Sequence, residues 1–482
     1  MYKGGKDRSP GLPTAMGIRP DAVSAIEASR GPGQSVHDDA FVDEWIRKSR
    51  DNAGLSGMLV PLEALDGWHR EMGSGNICHG TGRFFSVIGI HCRHREYRHE
   101  LEWDQPIIEQ PIIEQPEIGI LGILAKSFDG VIHFCLQAKE EPGNIGGIQF
   151  SPTVQATYSN YTAAHGGASP PFLEHFISPP PERIIFARMQ TEDGGRFLYK
   201  SNRNMIVDAG HDFPRALPEG FIWLTLRQIA GLLKRDNLVN ACARSILSSL
   251  ILADSPVRAN GGKGGSPGPA AASPAGIWGT LQWLDDCRSA NHMLARRIGL
   301  NELRDWRLDD KGFFSHREKR FFRIVGMKIT SAAREVTSWC QPIIENPAPG
   351  VIGLLVRKGP LGLEILMQAK AEVGNKSAVQ IGPTAQFTQG NYADSGKLRK
   401  PFLSDEFLNP KRFAVIHESR QAEEGARFYR ECHLHRILML PKGADLAIPD
   451  DYRWLPLSHA QFLVHLGEQV NSCARSILTC LL

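Results

Sequence analysis

The chain has 482 residues, a length that favours two to four domains. Its composition, 42% hydrophobic and 22% charged, is ordinary for a globular protein that can bury a large core. The 55 Lys and Arg residues nearly balance the 52 Asp and Glu residues, so the sequence lacks the basic excess typical of nucleic-acid-binding proteins.

Cysteine usage and hydropathy point to the cytoplasm. The nine cysteines form no Cys-x-x-Cys pair, which favours free thiols in a reducing compartment over a disulfide framework or a zinc cluster. No apolar run approaches the roughly 20 residues that span a bilayer, and the N-terminus lacks the apolar core of a signal peptide. We therefore expect a cytoplasmic protein.

The first half of the chain predicts a tail, a helix and several strands. Residues 1–34 are rich in Gly and Pro and are expected to be a disordered tail. A short helix is predicted over Phe41–Arg50. Strands rich in β-branched and aromatic residues are predicted at 83–92, 117–126 and 131–139, and the last two are separated by Phe-Asp-Gly, a hairpin signal.

The end of the first half predicts two more strands and then a helix. Residues 182–207 read as strand, acidic Gly-containing turn and strand. Apolar residues then recur at helical spacing over Thr225–Leu250. Residues 253–276 are mostly Gly, Pro, Ser and Ala, a composition typical of a flexible linker.

The second half predicts the same elements in the same order. A helix is expected over Thr280–Arg297, a strand at 320–329 and a terminal amphipathic helix over Ser458–Leu481. Strands in hairpins followed by a terminal helix favour the α+β class. No Gly-x-Gly-x-x-Gly follows a strand and opens a helix, so a nicotinamide or P-loop enzyme is disfavoured.

The two halves are copies of one domain. Residues 110–161 match residues 341–392 at an offset of 231, with 22 identities in 52 positions. Each copy is much longer than the 20–50 residues of a solenoid repeat. The predicted organisation is therefore a first repeat at 35–252 and a second repeat at 277–482, joined by the linker.

One phrase is duplicated again inside the first copy. Gln-Pro-Ile-Ile-Glu occurs at 105–109 and at 110–114, but only once in the second copy, at 341–345. An odd insertion within a paired strand would turn every later side chain to the other face. We therefore expect one copy to loop out or to lengthen the connection before a strand at Ile118–Ala125.

Polar residues that match between the copies are candidates for function, since packing alone explains them poorly. The set comprises His79/His316, Arg83/Arg320, Glu114/Glu345, Gln137/Gln368, Lys139/Lys370, Glu141/Glu372, Asn144/Asn375, Gln149/Gln380, Thr153/Thr384, Gln155/Gln386, Thr157/Thr388, Asn160/Asn391, Tyr161/Tyr392, Arg196/Arg427 and Arg244/Arg475.

Some of these residues alternate along a predicted strand. Gln137, Lys139 and Glu141 are expected to point to one face, which is either a solvated face or the wall of a polar ligand site. His79 with Arg83 suits either an anion site or a strand cap. Arg244 and its counterpart near helix C-termini suit a structural role better than phosphate binding.

The order of several long motifs resembles the NDP-hexose 2,3-dehydratases of deoxysugar biosynthesis. The motifs are H-x-x-x-R-F-F, QPIIEQPEIGILGIL, LQAKxExGN, SPTVQATxSNY, PFLEHF, GGRF and N-x-x-ARSIL, and the similarity runs from about residue 40 to the C-terminus. It implies two Nudix-like repeats, each a mixed-sheet domain with a C-terminal helix, in a homodimer. The Nudix metal-binding box is absent from the chain, and the second Gln-Pro-Ile-Ile-Glu, the long linker and the Gly/Pro-rich N-terminus depart from the family pattern.

The resemblance implies a substrate and a reaction. The substrate would be dTDP-4-keto-6-deoxyglucose, which loses its 2-hydroxyl as water to give a 3,4-diketo-2,6-dideoxy sugar for a downstream 3-ketoreductase. Because the 4-ketone acidifies the C3 hydrogen, the elimination needs a base, an acid and an enolate donor but no cofactor or metal. Nucleic acid and membrane are not expected partners.

The resemblance also gives the matched residues candidate roles. The catalytic candidates are Glu141, Lys139, Tyr161 and His79, with Glu372, Lys370, Tyr392 and His316, and Glu141 or Glu372 is the preferred base. The diphosphate would take Arg83/Arg320 or Arg196/Arg427, and thymine would stack on Trp68/Trp306 or Tyr161/Tyr392. The other substrate-binding candidates are Gln137, Gln149, Thr153, Gln155, Thr157, Asn160, Gln368, Gln380, Thr384, Gln386, Thr388 and Asn391.

Two alternatives stay open beside the dehydratase. One is a non-catalytic nucleotide-sugar binding protein, and the other is a Nudix-type hydrolase that releases dTMP with Mg²⁺. Within the dehydratase interpretation, either both repeats hold an active site or one site is vestigial.

Overall fold

The structure is a computed structural model. It describes residues 17–33, 35–93, 107–157, 169–251, 274–319, 321–331, 337–360, 362–392 and 400–482.

The described part of the first half contains helices and mostly antiparallel strands. Its helices are α1 (Val23–Arg30), α2 (Asp39–Asp51), α3 (Glu174–Ile177), α4 (Leu226–Leu233) and α5 (Ala241–Leu247). Its strands are β1 (Leu55–Val60), β2 (Trp68–Arg70), β3 (Ile77–His79), β4 (Ser86–Arg93), β5 (Ile107–Glu114), β6 (Gly119–Phe128), β7 (Val131–Glu140), β8 (Ile148–Pro152), β9 (Val154–Ala156), β10 (Ile184–Thr191), β11 (Ser201–Asp208) and β12 (Phe221–Leu224).

The second half repeats this order. Its helices are α6 (Pro274–Ala290), α7 (Ser404–Leu408), α8 (Leu457–Leu466) and α9 (Ser472–Leu478). Its strands are β13 (Leu294–Ile298), β14 (Trp306–Leu308), β15 (Phe314–His316), β16 (Arg323–Ser331), β17 (Ser338–Glu345), β18 (Gly350–Gly359), β19 (Gly362–Ala371), β20 (Val379–Gly382), β21 (Ala385–Thr388), β22 (Ala414–Ala422), β23 (Phe428–Tyr429), β24 (Cys432–Met439) and β25 (Tyr452–Pro456).

Each half builds one large mixed sheet with the same topology. In the first half the order is β10-β11-β6-β7-β12, and in the second it is β22-β24-β18-β19 with β25 on β19. The pairs β11–β6 and β24–β18 are parallel, whereas the other pairs in these two sheets are antiparallel. The predicted α+β class and the internal duplication are thus confirmed.

The predicted hairpin at Phe-Asp-Gly is present. Strands β6 and β7 pair from Phe128 opposite Val131. Both residues of the two-residue turn have positive φ, 51° at Asp129 and 80° at Gly130. This is the conformation of a type I′ turn, which Asp-Gly favours and which matches the twist of the flanking strands.

Helices cover one face of each large sheet. In the first half, Phe134, Phe150 and Ile206 pack with Ile229 and Ile246 in a single buried cluster. The same side of the second sheet packs against the helices α8 and α9. The opposite face of each sheet carries a smaller cluster that includes a fully buried phenylalanine, Phe176 or Phe407. Among the described residues, no helix is long and apolar enough to cross a membrane.

The two repeats exchange strands near their N-termini. Strand β1 of the first repeat pairs with β16 of the second, and β13 of the second repeat pairs with β4 of the first. Two indoles strengthen this exchange, because Trp68 Nε1 donates to Cys340 O at 2.8 Å and Trp306 Nε1 donates to Glu109 O at 2.7 Å. The two small sheets, β13-β4-β3-β2 with β5 and β14-β15-β16-β17-β23 with β1, therefore each contain strands of both repeats.

Two buried arginines join the repeats at their terminal helices. Arg244 Nε in α5 donates to Ser476 Oγ in α9 at 2.7 Å, and Arg475 Nε in α9 donates to Ser245 Oγ in α5 at 3.0 Å. Each guanidinium also donates to backbone carbonyls of its own and of the other repeat. Burial lowers the pKa of Arg475 to about 10, so it keeps its charge near neutral pH. The structural interpretation of these arginines is confirmed.

Several predicted bounds differ from the structure. Within the predicted tail, residues 17–33 are described and include α1, whose Ile26 is fully buried against the first sheet. The helix expected at Thr280–Arg297 begins at Pro274 and ends at Ala290, because Leu294–Ile298 instead pairs with β4. The helix predicted at Phe41–Arg50 is α2, which begins two residues earlier, at Asp39, because the Asp38 side chain caps it by accepting a hydrogen bond from Phe41 N.

Each predicted terminal helix is two helices. In the first repeat, α4 ends near Lys234, and α5 begins only after Asn240, whose backbone N donates to Phe150 O at 2.9 Å. In the second repeat, Gly467 has a φ of 81° and ends α8. The apolar residues do recur at helical spacing, but each helix is interrupted where a backbone N–H donates to the sheet, from Asn240 to Phe150 O and from Asn471 to Ile381 O.

The expected position of the duplicated phrase is wrong. Strand β5 includes the end of the first copy and the second copy up to Glu114, and it pairs with β4 without a bulge. Strand β17 has the same register on β16, with Glu345 at its end. The sequence between β4 and β5 is therefore longer than the sequence between β16 and β17, and the register of the paired strands is the same in both repeats. The residues 94–106 are outside the described ranges.

Replacing Arg244 by alanine should destabilise the whole chain. The substitution leaves the carbonyls of Val239 and Ala422 and the hydroxyl of Ser476 without this buried donor. We expect the free energy of unfolding to fall by about 3 kcal/mol or more, measured by urea denaturation. The control Arg47→Ala removes an exposed side chain and should change it by less than about 1 kcal/mol. An equal effect of both substitutions would contradict the interpretation.

Candidate active site

A cavity of about 470 Å³ opens at the C-terminal end of β19. Gln368, Lys370 and Glu372 line it, at alternate positions along β19 and the turn that follows. In a strand such residues share one face, as the sequence predicts for this motif. The volume lies within the range of about 300–1,000 Å³ that is common for small-molecule sites.

Other parts of the wall come from β21 and from loops of the second repeat. Gln386 and Thr388 lie on β21, and Asn391 and Tyr392 follow it directly. Phe402 and Tyr452 add aromatic surface, and Asp451 lies beside Gln368, whose Nε2 donates to Asp451 Oδ2 at 2.9 Å. The cavity thus combines hydrogen-bonding groups with aromatic rings.

A loop of the first repeat completes the cavity. Asp193, Gly195 and Arg196 line it together with the second-repeat residues. The loop is fixed by a hydrogen bond from Gly374 N to Gly194 O at 2.8 Å. A Cβ on Gly194 would lie 2.4 Å from Asn375 Oδ1 and 2.9 Å from Glu372 Cβ, so only glycine permits this approach. The site is therefore composed of both repeats.

Glu372 is the buried carboxylate of the cavity. Its Oε1 accepts from Gln386 Nε2 at 2.9 Å, and its Oε2 accepts from Asn375 Nδ2 at 3.1 Å and from Asn471 Nδ2 at 3.5 Å. Burial raises the pKa of Glu372, and the nearby Asp193 carboxylate raises it further, against the opposing effect of Lys370. A carboxylate of raised pKa is suited to proton transfer near neutral pH.

Arg196 stands at the wall of the cavity on an aromatic ring. Its guanidinium carbon lies 4.1 Å from the centroid of Phe322. The neighbouring Gly195 O accepts from Gln110 Nε2 at 2.7 Å. Gln110 opens the second copy of the duplicated phrase, which thereby helps to hold the loop in place. The Glu residues that end the phrase form ion pairs instead, Glu345 with Arg323 and Glu114 with Arg297.

The first repeat contains an equivalent cluster. Lys139 Nζ lies 3.1 Å from Glu141 Oε1, and Gln155 Nε2 donates to the same oxygen at 3.2 Å. Here the loop from the second repeat supplies Glu424, whose Oε1 accepts from Gln155 Nε2 at 2.7 Å. Burial raises the pKa of Glu424 to about 7, and the neighbouring Glu141 carboxylate also raises it. Gln137 and Lys139 both lie on β7.

The loops that reach the two clusters from the opposite repeat make equivalent contacts. Gly143 N donates to Gly425 O at 2.7 Å, as Gly374 N does to Gly194 O. The guanidinium carbon of Arg427 lies 4.3 Å from the centroid of Phe85, and burial lowers the pKa of Arg427. The predicted pair Arg196/Arg427 thus occupies equivalent positions, each across a repeat boundary.

The matched threonines Thr153 and Thr384 form hydrogen bonds within the large sheets. Thr153 Oγ1 donates to Cys135 O, and Thr384 Oγ1 donates to Leu366 O. Both threonines also accept a backbone N–H, from Leu124 or from Leu355. They fix strand pairing within their repeats.

The pair Gln149 and Gln380 is fully buried. Gln380 bridges the repeats, because its Oε1 accepts from Thr191 Oγ1 at 3.0 Å and its Nε2 donates to Glu468 O at 2.8 Å. Among the described residues, Gln149 has no such hydrogen bonds from its side chain. Neither amide is among the residues that line the second-repeat cavity.

The predicted histidines and tryptophans form aromatic clusters between the small sheets. His79 packs edge-on against Trp68 at 5.3 Å and Phe84 at 4.7 Å, and His316 packs likewise against Trp306 at 5.5 Å. Trp306 is 5% exposed and belongs to a hydrophobic core. The structure does not bring His316 or Trp306 to the cavity wall.

Of the remaining predicted residues, three lie outside the described ranges and two lie within them. Asn160, Tyr161 and Arg320 lie outside the described residues. Arg83 is exposed, and Thr157 directly follows β9 at the end of a described segment.

Sequence reasoning missed two acidic residues at the clusters. Asp193 and Glu424 occupy equivalent positions, but they differ in identity, so a search for identical residues passes over them. The signal that could have found them is the acidic residue before Gly-Gly-Arg-Phe and Gly-Ala-Arg-Phe, in two motifs that are otherwise matched.

The fold and the clusters define a tandemly duplicated α+β protein whose composite polar cavity holds a buried carboxylate of raised pKa. Comparison with known proteins identifies the group. The family model of NDP-hexose 2,3-dehydratase matches residues 39–250 and 279–481, so the chain belongs to this family.

Three curated relatives are similar to this chain over most of their length. The chain is 37% identical over 486 residues to a dTDP-4-dehydro-6-deoxy-alpha-D-glucopyranose 2,3-dehydratase of Amycolatopsis orientalis, covering 98% of this chain and 97% of the relative. Enzymes of the same description from Streptomyces violaceoruber and Saccharopolyspora spinosa are 37% and 35% identical. These matches cover 87% and 91% of this chain, and 92% and 90% of the relatives.

The raised pKa of Glu424 predicts a pH dependence of stability. The folded state binds this proton more tightly than the unfolded state, so the resulting stabilisation is present at low pH and is lost as the pH rises to about 7. Glu424→Gln cannot titrate. The free energy of unfolding of the unmodified protein, relative to Glu424→Gln, should therefore fall between pH 5 and pH 8.

Urea denaturation at several pH values measures this difference. Glu63→Gln changes an exposed glutamate and controls for the substitution itself. Parallel pH curves for the unmodified protein and Glu424→Gln would show that the burial of Glu424 does not affect its proton affinity.

Proposed function

We propose that this protein is a nucleotide-sugar 2,3-dehydratase that acts on dTDP-4-keto-6-deoxyglucose. It would eliminate the 2-hydroxyl as water and give a 3,4-diketo-2,6-dideoxy sugar for deoxysugar biosynthesis. The observation that carries the proposal is the buried carboxylate of Glu372, of raised pKa, inside a polar cavity. The descriptions of the curated relatives support the choice of substrate and reaction.

The reaction needs two proton transfers and an electrophilic donor. A base takes the C3 hydrogen as a proton, and the C3–H electron pair forms the enolate with the 4-ketone. The enolate then reforms the ketone, the C2=C3 double bond forms, and the C2–O bond breaks. The departing hydroxide takes a proton and leaves as water, and the enol product tautomerises to the diketone.

Residues of the second-repeat cavity are suited to each role. Glu372 is our proposed base, because its hydrogen bonds all come from amide donors, which favour the ionised form. Lys370 and Tyr392 line the same cavity and carry N–H and O–H donors for the enolate or the departing hydroxyl. In the first repeat Glu141 and Lys139 have the corresponding positions.

The nucleotide part would lie against the loop from the first repeat. Arg196 is our proposed diphosphate ligand, since its planar guanidinium stands on Phe322 at the cavity wall. Tyr392 and the aromatic residues Phe402 and Tyr452 offer stacking surfaces for thymine. Gln368 and Asn391 offer amides that could read its edge.

We further propose that each repeat is Nudix-like. The mixed sheet with one parallel pair, helices on one face and a terminal helix supports this. The proposed reaction requires no hydrolysis of the diphosphate.

Incubation with dTDP-4-keto-6-deoxyglucose tests the function directly. Because the expected diketone is unstable, a 3-ketoreductase should be added to trap it. A 2-deoxy dTDP-sugar, detected by mass spectrometry, supports the proposal. Recovery of unchanged substrate would favour a binding protein, and Mg²⁺-dependent release of dTMP would favour a hydrolase.

Removal of the Glu372 carboxylate should stop proton transfer. We expect Glu372→Gln to lower kcat by at least about 100-fold, since positioned acid–base groups contribute about 10² to 10⁴. Glu141→Gln is the same change at the equivalent position of the first repeat. Full activity in both variants, measured by the coupled assay, would contradict the assignment of a carboxylate base to either repeat.

We also propose a cytoplasmic homodimer, with a 3-ketoreductase acting next on the product. All nine cysteines are free thiols, which supports a reducing compartment. Strand β22 is an edge strand, and its Val415 and Ile416 are 43% and 45% exposed. On the equivalent strand β10, the N-terminal segment covers the edge, where Arg19 N donates to Ile185 O. An exposed apolar edge of this kind favours pairing with a second copy.

A charge on this edge should separate the copies. We expect the unmodified protein to have the mass of a dimer by multi-angle light scattering and Ile416→Lys to have the mass of a monomer. Met72→Lys changes a fully exposed methionine elsewhere and should leave the mass unchanged. A dimer that persists in Ile416→Lys would exclude β22 as the interface.

A further inference from the structure

The two clusters differ in the length of one side chain. Asp193 enters the second-repeat cavity, and Glu424, at the equivalent position, enters the first-repeat cluster. The supporting contacts are the same on both sides. The glycine-to-glycine hydrogen bonds measure 2.8 and 2.7 Å, and the arginines lie 4.1 and 4.3 Å from their phenylalanine rings. The extra methylene group of Glu424 is therefore a local difference on a shared frame.

The longer side chain reaches Gln155 in the first-repeat cluster. Glu424 Oε1 accepts from Gln155 Nε2 at 2.7 Å, and the same amide donates to Glu141 Oε1 at 3.2 Å. One amide thus bridges the two carboxylates, and Glu424 occupies the space beside Glu141.

The first-repeat cluster also contains buried cations. Lys200 is buried, which lowers its pKa to about 8, while the carboxylates of Glu192 and Glu424 act in the opposite direction. At the equivalent position the second repeat has Glu431, which lines the cavity. Lys139 forms an ion pair with Glu141, and Lys200 and Arg427 are buried near the carboxylate of Glu424.

The shorter side chain leaves the second-repeat cavity open. Asp193 Oδ1 accepts from its own loop, from Gly195 N at 2.8 Å. Gln386 Nε2 donates to Glu372 at 2.9 Å, and among the described residues no hydrogen bond joins Gln386 to Asp193. The space that Glu424 fills in the first repeat is therefore part of the cavity here.

We propose that dehydration takes place in the second-repeat cavity, and that Asp193, contributed by the first repeat, keeps this cavity open for the sugar, whereas Glu424 fills the equivalent space in the first repeat. The proposal rests on the proposed dehydratase function. Asp193 is a positioning residue, because the length of its side chain sets the room beside Glu372.

A set of variants at position 193 separates length from charge. Asp193→Glu and Asp193→Gln lengthen the side chain with and without charge, and Asp193→Asn keeps its length without charge. Glu424→Asp shortens the side chain in the first repeat. Steady-state kinetics with dTDP-4-keto-6-deoxyglucose and a trapping ketoreductase give kcat and KM, and thermal unfolding shows whether each variant is folded.

The proposal expects both long variants to raise KM by at least 10-fold, with Asp193→Asn within 3-fold of the unmodified KM and Glu424→Asp within 2-fold of the unmodified kcat/KM. An increase of 10-fold or more in the KM of Asp193→Asn would overturn it, because charge and not length would then matter. So would a 10-fold loss of kcat/KM in Glu424→Asp, or unchanged KM in both long variants.

Failure of the function can be told apart from failure of this inference. If the unmodified protein converts no dTDP-sugar, the dehydratase proposal itself fails. If it converts the sugar but the variants do not follow side-chain length, only the role of Asp193 fails. Should one long variant not fold, the other and Asp193→Asn still give the comparison.

Discussion

The reciprocal contact between Arg244 and Arg475 fixes how the two repeats face each other. Each guanidinium donates to a serine on the opposite terminal helix and to a carbonyl of the opposite repeat. Both side chains are almost completely buried, and a buried guanidinium without these acceptors would be costly. The acceptors can be supplied only in one relative orientation, so the arginines select that orientation over other packings of two similar domains.

This orientation is what makes the cavity composite. With the terminal helices held together, the Gly194 loop reaches the turn after β19, and the Gly425 loop reaches the turn after β7. The exchanged strands β1 and β13 add a second connection between the repeats. A single repeat would lack the loop that carries Arg196 to the cavity, so neither half of the chain contains a complete site.

The sequence predicts the duplicated fold around the site better than the roles of individual residues. The duplication and the β6–β7 hairpin follow from offsets and Asp-Gly chemistry, and alternation correctly groups Gln368, Lys370 and Glu372 on one cavity wall. Helix α1 was missed because local composition does not report that Ile26 packs into the first core. Thr384 and Gln380 match between copies because the fold needs them, so identity alone does not separate binding residues from strand-fixing ones.

The position at which the copies differ is the more informative one. After duplication, the fold constrains both loops equally, since each must pass a glycine against the opposite repeat and set an arginine on a ring. The acidic residue before the glycine is free of that constraint. In the first repeat it accepts a hydrogen bond from the side chain of Gln155, which also donates to Glu141. In the second repeat it stays short, and the burial that raises the pKa of Glu372 is combined with an open cavity beside it. The two loops otherwise make the same contacts, so on the proposed assignment the difference of one methylene group separates these outcomes.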